Sequence, residues 1–275
     1  MHREQNNMAG THLNRDETQK EQLVFELNKK AYSSINFNDY EESQTGRHRF
    51  SDENIDRIDN IIKMIHKNTE GQKCLDVGVG SGLVLLREAK IFPECVGLDI
   101  CIKMALQKGI PESMLVEGSC YQLPFGCGEF DLVSAYSLLH HLSNIPKFLQ
   151  EAYRVLKKGG YLYTDGDINI YCMRLLRKLK MARYYFAGKK HKQTYEYWRD
   201  MLVHRDECEY HHMGLDFIEL ERTLKTIGFD KVIIVPRFSV NPSHNKKLAF
   251  RIMKKAYRCL SLKSCFTHIQ LFAVK

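Results

Sequence analysis

KCLDVGVGSG, residues 73–82, indicates what kind of fold this chain adopts. An apolar run typical of a buried strand leads into three glycines, Gly78, Gly80 and Gly82, and then into the helical pattern LVLLREAKIF. Because glycine has no Cβ, such a turn lets the backbone come close to a ligand. A tight turn that holds no ligand is the alternative when a glycine loop stands alone.

Strand and helix patterns alternate from this stretch onward. Further strand patterns are CVGLDI, SMLVEG, FDLVSAY, YLYTDGD, KVIIVPRF and HIQLFAVK. The alternation predicts an α/β fold, a Rossmann-like doubly wound sheet that is mostly parallel, with helices on both faces. No usual crossover helix separates the final two strands, so we expect an antiparallel last strand.

Composition indicates a globular cytoplasmic protein. The chain has 275 residues and is 44% hydrophobic, which is enough for a sizeable core. It contains no apolar run long enough for a spanning helix, and its start lacks the apolar region of a signal peptide. Nine scattered cysteines without a CxxC pair, Cys74 and Cys95 among them, are most simply reduced thiols that act as small buried hydrophobes.

The net charge of +8 is concentrated in two segments. Residues 168–195 contain eight Lys or Arg and no acid, and the chain after Asp230 contains ten more, again without an acid. The remaining residues are therefore acidic overall. We expect the basic helical insertions, at about 168–213 and 238–264, to form a lid at the carboxyl edge of the sheet. Residues 1–20 are expected to form a flexible arm before a domain spanning 21–275.

The residues around the glycines favour one nucleotide ligand over others. A dinucleotide fingerprint needs a third glycine at position 83, where this chain has Leu83, and no Lys follows the glycines as a P-loop requires. Asp76 places a carboxylate two residues before Gly78, which suits a ligand with positive charge, such as the ammonium and sulfonium of S-adenosylmethionine (SAM). Asp99, at the end of the second strand, is spaced to accept the ribose hydroxyls of an adenosine.

The motifs LDVGVGSG, VGLDI, EGSCYQLPF, FDLVSAYSLLHHL and EAYRVLKKGGYLY resemble, in order and spacing, those of class I SAM-dependent methyltransferases. The ubiquinone and menaquinone biosynthesis methyltransferases are the most similar subgroup. The resemblance is dense over residues 73–166 and looser from 215 onward. It implies a seven-stranded sheet with strand seven antiparallel.

The same resemblance implies cofactor-binding roles for residues that follow strands one to four: Asp76, Gly78, Gly80, Gly82, Asp99, Ile100, Ser119, Cys120, Ala135 and Tyr136. Asp76 and the first two glycines would line the methionine end of SAM, and Asp99 would hold the ribose. Ser119 stands where the family usually has an acidic residue for the adenine amino group, so a hydroxyl would make that contact.

Three side chains are candidates for catalysis. His140, His141 and Tyr136 lie just after strand four, near the expected methyl group. One of them could be a general base, which is needed only if the acceptor must lose a proton. The alternative is that the two histidines are a structural pair opening a helix. A second cluster, HRDECEYHHMG from His204, lacks the spacing of a metal site, so we expect no metal.

These observations predict a SAM-dependent methyltransferase with a small-molecule or lipid-like acceptor. The basic lid is either a solvated face or, in a sharper hypothesis, a peripheral contact with an anionic membrane surface. The alternatives are a SAM-binding regulatory protein without turnover and an RNA methyltransferase. Nucleic acid is disfavoured, because SAYS replaces the [DN]PP[YF] loop of base amino methyltransferases and no RNA-binding module is evident.

Overall fold

The computed structural model describes residues 19, 21–35, 49–175, 214–237, 251 and 268–275. The predicted arm, most of both predicted lid segments and the His204 cluster lie outside these residues. The described helices are α1 (residues 21–34), α2 (Asp52–Lys67), α3 (Leu85–Glu88), α4 (Lys103–Gln107), α5 (Ile145–Val155), α6 (residues 170–175) and α7 (Phe217–Ile227). The strands are β1 (Lys73–Val77), β2 (Glu94–Asp99), β3 (Leu115–Glu117), β4 (Phe130–Tyr136), β5 (Leu156–Ile168), β6 (Lys231–Arg237) and β7 (His268–Val274).

The strands form a seven-stranded sheet in the order β3-β2-β1-β4-β5-β7-β6. Strands β1 to β5 pair in parallel, and β7 lies antiparallel between β5 and β6. The prediction of a doubly wound sheet with an antiparallel last strand is therefore confirmed. The strand order reverses beside β1, so the carboxyl ends of β1 and β4 flank the crevice where ligands bind in such sheets.

Helix α2 covers one face of the sheet because its isoleucines recur at helical spacing. Ile58, Ile62 and Ile65 have no solvent exposure and pack in a cluster with Leu132 of β4 and Tyr163 of β5. This packing fixes the start of α2 close to the carboxyl ends of the central strands.

A buried carboxylate connects β5 to α2 and β6. Asp165 has no solvent exposure and lies 2.6 Å from Arg57 Nη1 and 2.6 Å from Arg237 Nη1. The Tyr163 hydroxyl donates to it at 2.8 Å. Burial alone would raise the pKa of Asp165, but the two guanidinium groups outweigh burial and hold the pKa below its usual range. The network joins the carboxyl end of β5 to α2 and β6 beside the crevice.

The structure differs from the sequence prediction at two turns. Lys157–Gly160, a stretch whose two glycines are typical of a turn, lies within β5 at a shift in its register with β4. His140 and His141, predicted to open a helix, instead lie in a 3-10 turn, Leu139–His141. Helix α5 begins only at Ile145, because the Asn144 side chain accepts from the backbone N–H of Lys147 and caps the helix there.

Candidate functional site

A cavity of about 530 Å³ lies at the carboxyl ends of β1, β2 and β4. Helix α1 forms part of its wall through residues that include Phe25 and Tyr32. Eight of the ten residues predicted to bind the cofactor line the cavity, and so do all three catalytic candidates. The lining includes Asp76, Gly78, Gly80, Asp99, Ile100, Ser119, Cys120, Tyr136, His140 and His141. The structure thus brings together predicted residues from the loops that follow β1, β2, β3 and β4.

Two predicted cofactor residues do not line the cavity. Gly82 lies behind the loop, where a Cβ would overlap the side chain of Ile110. Ala135 is 1% exposed and belongs to the main hydrophobic core. Both residues affect the site through packing. Gly82 lets the turn pack closely against Ile110, and Ala135 packs in the core beneath the site.

The glycine loop adopts backbone conformations that other residues rarely reach. Gly78 has φ 77° and Gly80 has φ 52°, both in the left-handed region that favours glycine. A Cβ on Gly78 would lie 2.9 Å from the Leu138 side chain, whereas a Cβ on Gly80 would meet only the Gly78 carbonyl, at 3.9 Å. Gly80 therefore presents bare backbone, and the space beside it admits a ligand.

Asp99 is held rigidly at the end of β2. Its carboxylate accepts the backbone N–H of Gly80 at 2.8 Å and that of Cys101 at 3.0 Å. Burial raises the pKa of Asp99, and these N–H groups oppose the rise. The remaining lone pairs of a carboxylate in this position can accept hydroxyl donors, so the residue fits the ribose of an adenosine.

Asp76 provides a second, more deeply buried carboxyl group. It is 2% exposed, and it accepts the Leu85 backbone N–H and the Ser134 hydroxyl, each at 3.1 Å. Burial raises the pKa of Asp76 to about 7. An ammonium group bound in the cavity would favour the ionised form of this residue.

Arg49 is a lining residue that sequence reasoning missed. Its guanidinium carbon lies 5.9 Å from the centre of the Tyr136 ring, and Arg49 lines the same cavity. It is placed to pair with a carboxylate, such as the one at the methionine end of SAM. Asp76 and Arg49 thus offer opposite charges to a zwitterionic group. The only sequence signal was a basic residue just before α2.

His140 is held by an acidic residue that the sequence prediction did not single out. Its Nδ1 lies 2.7 Å from Oδ1 of Asp167, which also accepts the His140 backbone N–H at 3.2 Å. Asp167 is 1% exposed. The contact orients the imidazole and leaves Nε2 as the ring nitrogen available to a substrate.

His141 contacts α1 across the cavity. The Tyr32 hydroxyl lies 3.0 Å from His141 Nε2, and the two rings meet edge to face with centroids 5.6 Å apart. The rings of His140 and His141 are themselves 4.0 Å apart. The two histidines therefore differ in environment: Asp167 orients the first, and a tyrosine of the covering helix engages the second.

The fold and the residues around the cavity are similar to those of class I methyltransferase domains. Residues 75–164 match a family model described as "Methyltransferase domain", and this segment contains the glycine loop, Asp99 and both histidines. The predicted resemblance to SAM-dependent methyltransferases is confirmed over this segment. Asp76, Asp99, Arg49 and the open side of Gly80 fit SAM as the cofactor.

Characterised and uncharacterised relatives agree with this class. An uncharacterized methyltransferase of Bacillus subtilis is 32% identical over 101 residues, which are 34% of this chain and 40% of the relative. The ubiquinone/menaquinone biosynthesis C-methyltransferase UbiE of Allorhizobium ampelinum is 33% identical over 116 residues, 37% of this chain and 44% of the relative. The chain thus spans less than half the length of these relatives.

A solved structure has a similar fold. A SAM-dependent methyltransferase of Thermotoga maritima, titled a possible histamine N-methyltransferase, superposes with a TM-score of 0.53 at 15% identity. The match covers 92% of this chain and 99% of that one. This similarity concerns the fold.

Among the described residues, no group of three or more His, Cys, Asp or Glu side chains could hold a metal ion. None of the described helices is long and apolar enough to cross a membrane.

Proposed function

We propose that this protein is a SAM-dependent methyltransferase that acts on a small-molecule or lipid-like acceptor. One observation carries the proposal: the cofactor residues Asp76 and Asp99 share a single cavity with His140 and His141. A cofactor held by Asp76 and Asp99 would therefore share this cavity with an acceptor held near the two histidines. The UbiE relative, named for ubiquinone and menaquinone biosynthesis, supports an acceptor of modest size.

The residues of the cavity suggest how the transfer is assisted. When bound, SAM supplies an electrophilic methyl group. The chain positions the reactants: Asp99 and the glycine loop fix the adenosine end, and Asp76 and Arg49 fix the amino acid end. His140, oriented by Asp167, can take a proton at Nε2 from an acceptor hydroxyl, amine or acidic carbon. The covering helix α1 excludes water from the same place.

A SAM-binding regulator without turnover is the second candidate. It is favoured if the contact between Tyr32 and His141 closes the acceptor end of the cavity permanently. An RNA methyltransferase and a peripheral membrane contact depend on the basic segments, most of which lie outside the described residues, so they remain predictions from the sequence alone.

Titration calorimetry tests the cofactor site. Purified protein is titrated with S-adenosylhomocysteine and, separately, with NADH, using wild type, Asp99→Asn and a control, Asp230→Asn, whose side chain is exposed at the start of β6. We expect the homocysteine compound alone to bind, with affinity reduced about tenfold or more in Asp99→Asn because a charged hydrogen bond is lost. Asp230→Asn should bind as wild type does.

Methyl-labelled SAM then separates an enzyme from a regulator. Incubation with a lipid and small-molecule extract should transfer label to an extract component in wild type and much less in His140→Gln. Binding of S-adenosylhomocysteine without transfer to any extract would favour the regulator. Binding of NADH instead would refute the proposed cofactor site.

A further inference from the structure

Two cysteines meet on neighbouring strands directly below the cofactor loop. Cys74 of β1 and Cys95 of β2 are register partners in the parallel ladder. Their sulfur atoms lie 3.0 Å apart, with the Cys74 thiol donating to Cys95 Sγ. The sequence suggested that both serve as small buried hydrophobes, but this contact brings the two thiols close enough to react with each other. Neither residue lines the cavity described above.

We propose that Cys74 and Cys95 form an oxidation site, at which a peroxide converts the two thiols into a disulfide that cross-links β1 and β2. Neighbouring strands lie about 4.8 Å apart, and disulfides join Cα atoms separated by about 4.4–6.8 Å. The bond can therefore form without separating the strands.

The two thiols differ in a way that assigns their roles. Cys74 is fully buried, whereas Cys95 is partly exposed and is thus the residue of the pair that lies nearer to solvent. The hydrogen bond from Cys74 lowers the pKa of Cys95 against the opposing effect of burial, while burial raises the pKa of Cys74. Cys95 is the nucleophile toward peroxide, because the thiolate is the reactive form.

The reaction balances in two steps. The Cys95 thiolate attacks one peroxide oxygen, which breaks the O–O bond, gives a sulfenic acid and releases hydroxide. The Cys74 sulfur then attacks the sulfenic sulfur; the S–O bond breaks, the S–S bond forms and water leaves with the thiol proton. Peroxide is reduced, and the two thiols lose two electrons in total. A thiol reductant reverses the bond by exchange.

The position of the pair links this chemistry to the cofactor site. Cys74 and Asp76 point to the same face of β1, and Cys95 shares its face with Asp99 of β2, since side chains alternate along a strand. Glu88 of α3, which has no solvent exposure, lies against the pair and against Asp76; burial raises its pKa well above the usual range. Pulling the sulfurs together would disturb this packing, so we expect oxidation to weaken cofactor binding.

Peptide mapping of the full chain provides the first test. Reduced wild-type protein is treated with hydrogen peroxide, alkylated and digested with trypsin. The expected product joins residues 74–87 to residues 91–103. Because the second peptide also contains Cys101, the cross-link must persist in Cys101→Ser and disappear in Cys95→Ser. Cys127→Ser, which removes an exposed thiol, is the control and should retain the cross-link.

The wild-type map decides the question even if a variant fails to fold. A cross-link that survives in Cys95→Ser, or peroxide-treated wild type in which Cys74 and Cys95 remain alkylatable, would overturn the proposal. The affinity for S-adenosylhomocysteine supplies a second readout. We expect it to fall several-fold on oxidation, to recover with dithiothreitol and to stay constant in Cys95→Ser; equal affinities before and after cross-linking would overturn the link to the cofactor site.

Discussion

At the scale of single residues, Asp76 determines how the site responds to pH. Its carboxyl group accepts two hydrogen bonds but is almost completely shielded from solvent, and this burial raises its pKa to about 7. The shift has a cost for the ligand-free protein. Its stability is greatest below the ordinary aspartate pKa of about 3.9 and declines as the pH rises towards 7, because the folded state binds the proton more tightly than the unfolded state.

A ligand with an ammonium group near Asp76 reverses this preference. We predict that the affinity for S-adenosylhomocysteine rises as the pH increases from about 6 to about 8, because binding favours the ionised carboxylate and releases a proton below the free pKa. Calorimetry in two buffers of different ionisation enthalpy measures both the affinity and the proton release. Asp76→Asn should flatten both profiles, whereas Asp230→Asn should keep them. Proton uptake on binding in wild type would contradict the prediction.

At the scale of elements, the turn between β1 and α3 depends on one glycine for packing. Gly82 and Gly109 have almost the same conformation, with φ 79° and 84°. A Cβ on Gly82 would overlap Ile110, which is only 3% exposed, whereas a Cβ on Gly109 would meet nothing within 4 Å. The two positions therefore separate backbone strain from steric overlap.

We predict that Gly109→Ala lowers the free energy of unfolding by about 1 kcal/mol, the cost of a left-handed conformation. Gly82→Ala should lower it by about 3 kcal/mol, because Ile110 must also be displaced from a packed core. Urea denaturation followed by circular dichroism measures both values. Equal losses in the two variants would show that the turn tolerates a side chain at Gly82.

Local patterns predicted most of the elements, and non-local contacts account for the misses. Alternating apolar runs and the glycine loop indicated which segments form strands and that only the last strand runs antiparallel. The predicted strand ends also indicated that Asp76 and Asp99 belong to the site. The stretch Lys157–Gly160 reads as a turn by its glycines, yet it is bound into the sheet by the final residue, since the Gly159 N–H donates to the Lys275 carbonyl at 2.6 Å. No pattern near Gly159 reveals a partner so distant in sequence.

The same reason explains which site residues escaped prediction. Asp167 was visible only as the last acid before a basic segment, and its role depends on a contact with His140, which lies in another loop. Tyr32 precedes the whole alternating pattern and meets His141 only through the folded chain. Residues at strand ends can be predicted from order along the chain, whereas those defined by pairing need the structure.

At the scale of the whole molecule, α1 lies across the sheet edge as a cover over the cavity. Besides the contact between Tyr32 and His141 in the cavity, α1 has polar contacts with the domain at its periphery. Lys147 donates to Glu21 at 2.8 Å, Lys29 lies 2.8 Å from Glu117, and Lys103 donates to the Ser33 carbonyl at 2.7 Å. Lys29 and Glu117 are both more than 40% exposed, and exposed ion pairs contribute little free energy. The apolar residues that α1 presents to the cavity are therefore the part of the helix most able to affect ligand binding.

If α1 closes over bound cofactor, its apolar lining should contribute to affinity. Phe25 lines the cavity, whereas Leu23, on the same helix, is 59% exposed. We predict that Phe25→Ala weakens binding of S-adenosylhomocysteine about tenfold, because apolar surface that the ligand would cover is lost. Leu23→Ala removes a side chain of similar character from the outer face and should leave the affinity unchanged. Calorimetry on both variants measures the difference; equal affinities would place α1 away from the ligand when the cavity is filled.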